Sequence, residues 1–185
     1  MRKTIRPWVY LGLALLLGCS ASANRRRDPL NQVEIDQLRD TAQEPDQRLK
    51  LYIKFARNRL DTIEQVRSDP KATDRAQQTH DRLQDFVDVY DELNDNVDTF
   101  ADRKSDLRKA LKAVIDADTE FQARLRALKG SASAIPAETQ KYDFLLNSAL
   151  DTVDASAQDH RQLLAEQEEA AKHKKPTPVA PAEER

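Results

Sequence analysis

The chain has 185 residues, of which 34% are charged and only 5% aromatic, and glycine is rare. That balance suits long helices and speaks against a sheet protein. A formal charge of −2 argues against a nucleic-acid partner, and a single cysteine rules out an intramolecular disulfide.

The N-terminus carries an address. Arg2, Lys3 and Arg6 form a basic segment, and Trp8 to Leu17 is an apolar run. The run has the size of a signal-peptide core and is too short to span a hydrocarbon layer of roughly 30 Å. Leu16-Leu17-Gly18-Cys19 closes it. This segment resembles the lipobox of bacterial lipoproteins, with Leu at −3, a small residue at −1 and a thiol at +1. The resemblance covers only the signal and the first mature residue, and Leu17 at −2 departs mildly from the usual choice. It implies cleavage after residue 18, a diacylglycerol on Cys19 and, with Ser20 rather than Asp next, transit to the outer membrane facing the periplasm. Cleavage would remove three positive charges and no negative one, taking the charge from −2 to −5. Ala21-Ser22-Ala23 offers the rival, an ordinary cleavage that leaves a soluble secreted or periplasmic protein without cysteine.

Residues 19–29 read as the lipidated cysteine and a tether, with Arg25, Arg26 and Arg27 placed to touch anionic headgroups or simply to stay solvated. Asp28-Pro29 reads as the start of a first helix over about 30–43. Pro45 interrupts it, and Leu49, Ile53, Ala56, Leu60 and Ile63 mark a second helix over about 46–68. Asp69-Pro70 reads as the N-cap of a third. From Ala72 to Leu128 there is neither Gly nor Pro, and apolar residues recur at alternating steps of four and three. Thr79, Lys104 and Asp118 are the polar exceptions on that track. The pattern predicts one central helix over 71–129, weakest at Asn94 to Thr99. Gly130 suits a helix C-terminus, the turn follows, and a last helix runs over about 137–172. The end, 173–185, has nothing to bury and reads as a disordered tail. The fold expected is all-α: an elongated antiparallel three-helix bundle, coiled-coil-like with one long central helix, forming a single domain over 30–172.

Chemistry-bearing constellations are sparse. The basic run Arg48, Lys50, Lys54, Arg57 and Arg59 suggests anion contacts, chiefly through Arg48, Lys54 and Arg57. Against it stands the acidic stripe Asp81, Asp85, Asp88, Glu92 and Asp95. A hairpin near 70 brings Arg48 toward Glu92, Lys54 toward Asp85 and Asp88, and Arg57 toward Asp81, so interhelical pairing explains both stripes. His80, His160 and His173 form no metal-ligand spacing, and one mature glycine cannot build a phosphate loop. His160 lies on the core track and is expected to face Asp106 or Leu107. Asp118 is expected near Asn147 or Ser148, with no second catalytic group beside it. Phe55 and Phe144 lie off the main tracks, as partner contacts or as edges of the core. No catalytic residue, metal or cofactor is expected. The expectation is a non-enzymatic, lipid-anchored envelope protein acting as a helical scaffold or interaction module. Its partners would be the membrane, through the N-terminal lipid, and an envelope protein or a second copy. The alternative is a binding module for anionic envelope polymer or lipid.

Overall fold

The structure, a computed structural model, describes residues 28–132 and 136–173. Six helices and no strand occur among the described residues: α1 (Gln32–Arg39), α2 (Pro45–Ser68), α3 (Arg75–Asp102), α4 (Arg108–Ala132), α5 (Pro136–Thr139) and α6 (Asp143–His173).

Four of these are long, so the three-helix arrangement is replaced by a four-helix one. Helices α2 and α3 pack as one antiparallel pair and α4 and α6 as another. The pairs join through parallel contacts, α2 on α4 and α3 on α6. The ties Asp46–Lys109, Arg57–Glu120 and Asp61–Arg124 keep one constant offset along α2 and α4, as parallel neighbours must. Helices α3 and α4 lie across the diagonal, and their largest side chains meet in the centre. Phe86 and Phe121 stand edge-to-face at 5.5 Å, and Tyr90 closes the cluster against both.

The expected central helix is therefore two helices. It runs unbroken through Asn94 to Thr99 and ends instead at Asp102. The stop is a Schellman turn. Lys104 takes the left-handed conformation at φ 58°, its N–H bonds Ala101 O, and the N–H of Ser105 bonds Phe100 O. Gln167 of α6 then holds the turn: its amide oxygen accepts from Leu107 N at 2.8 Å and its amide nitrogen donates to Ser105 O. The chain reverses without leaving the heptad phase. Of the apolar-track positions between Ala72 and Leu128, only Ala72 and Lys104 are not buried.

Other boundaries shift for local reasons. Helix α1 is capped by Asn31 and not by Asp28: Asn31 Oδ1 accepts from Glu34 N while Glu34 returns an oxygen to Asn31 N. Asp69 ends α2 and its carboxylate accepts from Lys71 N, so Asp69-Pro70 belongs to a turn and α3 starts at Arg75. Gly130 lies inside α4 without positive φ. The last helix is preceded by the single turn α5, which lengthens the connection between α4 and α6.

Candidate functional site

Cys19, Arg25, Arg26 and Arg27 lie outside the described residues, as do the signal segment and most of the tail. No helix among the described residues is long and apolar enough to cross a membrane.

The arginines of the basic face of α2 are internally engaged: Arg48 at Asn96 of α3, one turn from the expected Glu92, and Arg57 on α4 instead of at Asp81. Arg57 forks onto Glu120 of α4, with Nε and Nη2 at 2.9 and 2.7 Å from the carboxylate. Those hydrogen bonds hold Glu120 below the usual carboxylate range and raise Arg57. Arg48 donates to Leu38 O at the end of α1 and to Asn96 of α3, and lies over the Tyr52 ring. Arg59 grips Glu34 at 2.6–2.8 Å and also donates to Pro29 O. Burial pushes the Glu34 carboxyl up, but the hydrogen bonds from Arg59 and from Asn31 N–H outweigh it and leave the group below its ordinary value. Arg48 and Arg59 thus fasten the two ends of α1 to α2. Pairing across helices is the correct kind of contact, but its partners lie on α1, α3 and α4. Lys54 is exposed, beside Glu34. These side chains do not converge on one point.

The more concentrated chemistry is inside the bundle. Asp118 on α4 is fully buried. It accepts from Tyr90 OH of α3 at 2.8 Å through one oxygen, and its other oxygen lies 2.9 Å from His160 Nδ1 of α6. Ser156, one turn before His160, hydrogen-bonds Tyr90 and accepts from Asn94 Nδ2 at 3.0 Å. One carboxylate therefore joins three helices. Burial, then the negative charge of Asp118, pushes the Tyr90 phenol well above its ordinary value, so Tyr90 acts as a donor. In the neutral imidazole, an Nδ1–H donated to Asp118 leaves Nε2 as an acceptor.

This cluster corrects two expectations. His160 faces Asp118 and not Asp106 or Leu107, and Asp118 has a titratable neighbour after all. Asn147 meets Lys129 instead. The α4–α6 hairpin pivots near residue 139, midway between Asp118 and His160, because α5 and the residues after it lengthen the turn. Both residues stood out in the sequence as polar groups on an apolar track. Tyr90 did not, since an aromatic on that track reads as packing. Phe55 is buried, and Phe144 is 88% exposed. No cluster of three or more His, Cys, Asp or Glu side chains among the described residues is arranged to hold a metal ion.

No protein-family model matches the sequence, and neither a curated protein nor a solved structure shows detectable similarity to it.

Proposed function

We propose that the chain is a lipid-anchored envelope protein whose folded part is a non-catalytic helical scaffold. The observation that carries the scaffold reading is how the strongest polar groups are spent. Asp118, His160 and Tyr90 bind one another across three helices, and Arg57 and Arg59 are paired with carboxylates of neighbouring helices. Groups used this way fix register and partner choice between helices. What remains for function is the outer surface of the bundle and the N-terminal attachment.

The anchor rests on Leu16-Leu17-Gly18-Cys19 at the close of an apolar run. Diacylation gives the multiple chains that stable anchoring requires. The competing module for anionic polymer loses ground because Arg48 and Arg57 already have protein partners. It retains Arg25, Arg26, Arg27 and Lys54.

Fractionation of bacterial cells expressing the chain tests the anchor. The native form is expected in the membrane fraction and metabolically labelled by fatty acid, whereas Cys19→Ala is expected unlabelled and either unprocessed or released. Equal labelling of both forms would refute lipidation. Crosslinking in intact cells tests the scaffold: discrete protein adducts are expected. Salt-sensitive retention on anionic polymer with no protein adduct would favour the competing module.

A further inference from the structure

Taking the folded part as a scaffold, we propose that the face of α2 beneath α1 is a docking site for a short amphipathic helix of a protein partner, which enters by displacing α1. Helix α1 is loosely held. Of its eight residues only Glu34 and Leu38 are buried, and Val33 is 65% exposed. It packs against α2, whereas α2, α3, α4 and α6 close the main core among themselves. Leu38 is the single residue of α1 in that core. A helix of about two turns does not persist alone in water. An element with so little buried surface opens locally, at far less cost than the core around it.

What α1 covers is not an ordinary solvated face. Phe55 lies off the core track of α2, yet it is 1% exposed and lines a groove with Val33, Glu34 and Gln37 of α1. Tyr52, equally buried, meets it edge-to-face at 6.4 Å. Arg48 and Arg59 flank this aromatic pair, three helical turns or about 16 Å apart along α2. With α1 undocked, the face presents an aromatic strip between two guanidinium groups, which is the makeup of a protein-binding surface.

The way α1 sits defines the occupant. Arg59 takes a carboxylate in the first turn, with Nη1 and Nη2 at 2.8 and 2.6 Å from the oxygens of Glu34. Leu38, one turn later, supplies the aliphatic contact. Arg48 donates to the Leu38 carbonyl at the C-terminal end, at 2.8 Å. The face therefore selects a helix of about two turns, with a carboxylate in its first turn, an aliphatic side chain one turn on and its last carbonyls turned to Arg48. A polyanion satisfies the two arginines but leaves Phe55 and Tyr52 uncovered.

The test uses the full chain in detergent, with a synthetic peptide of residues 28–43 as the probe. In the native chain the amides of α1 are expected to exchange with solvent at least about tenfold faster than those of α2 from Leu49 to Ile63. Excess peptide, competing for the open face, is expected to speed the exchange of α1 further. Glu34→Ala combined with Leu38→Ala opens the strap and leaves α2 intact. That chain is expected to bind the fluorescent peptide at least about tenfold more tightly than the native chain does, while the four long helices stay protected from exchange. Adding Arg59→Ala to the opened chain, or Glu34→Ala to the peptide, is expected to remove this gain. Amides of α1 exchanging as slowly as those of α2, equal peptide binding by the native and opened chains, or a gain that survives either change would overturn the site. Dimers of the native chain that exclude the peptide would assign the face to a second copy and overturn the partner. The binding assay uses no cells, so its failure strikes this site and leaves the scaffold reading to crosslinking in intact cells.

Discussion

At the scale of single residues, buried polar groups dominate the consequences. Removing one member of a buried hydrogen-bonded charge cluster leaves the others without partners. Asp118→Ala is therefore expected to cost about 3–5 kcal/mol in urea unfolding. Replacing Asp118, His160 and Tyr90 together by Leu, Leu and Phe is expected to recover most of that loss, because no polar group is then stranded. A cost below about 1 kcal/mol for Asp118→Ala would count against the clasp. Glu34 and Glu120 set the acid limit. Both carboxyls sit below their ordinary value of 4.5 in the fold. A depressed group stabilises the fold above its unfolded value and loses that contribution as pH falls through the folded value. The melting temperature should thus be level from about pH 7 to 5 and drop below about pH 4.5. Glu34→Gln should lower the plateau and soften the drop.

At the scale of elements, helix ends decide the architecture. Helix α1 has eight residues, too few to persist alone, and survives through its capping box and the grips of Arg48 and Arg59. The reversal between α3 and α4 depends on Lys104 in a conformation that costs an L-residue about 1–2 kcal/mol. Lys104→Gly removes that cost but enlarges the freedom of the unfolded chain, so a net gain of about 0.5–1 kcal/mol is expected in chemical denaturation. Lys104→Val should destabilise, since a β-branched side chain suits positive φ least. The opposite order would mean that α3 does not end in this turn.

At the scale of the whole molecule, two architectures share one heptad. A continuous helix would separate Gln77 from Arg126 by about 74 Å. The folded-back arrangement puts both near the same end of the bundle, and spin labels there are expected to lie roughly 20–30 Å apart, given interhelical distances of 8–10 Å plus the label arms. The centre of the bundle is aromatic: Phe121 is fully buried against Phe86 and Tyr90, and Phe121→Ala should cost about 3–5 kcal/mol.

The heptad made the core faces legible, because burial must follow helical periodicity whatever the helices pack against. It identified the seam from Ala72 to Leu128, buried from Ala76 onward except at Lys104, and marked Asp118 on that seam and His160 on the core track of the last helix as polar residues facing inward. It did not disclose the reversal at Lys104, since a helix that folds back in phase presents the same pattern as one that continues, and the residue in the left-handed position was not the glycine that usually announces it. Nor did it pair Arg57 with Glu120 or Asp118 with His160. Those contacts depend on which helices become neighbours and on the length of one connection, and both are settled only when the whole chain packs.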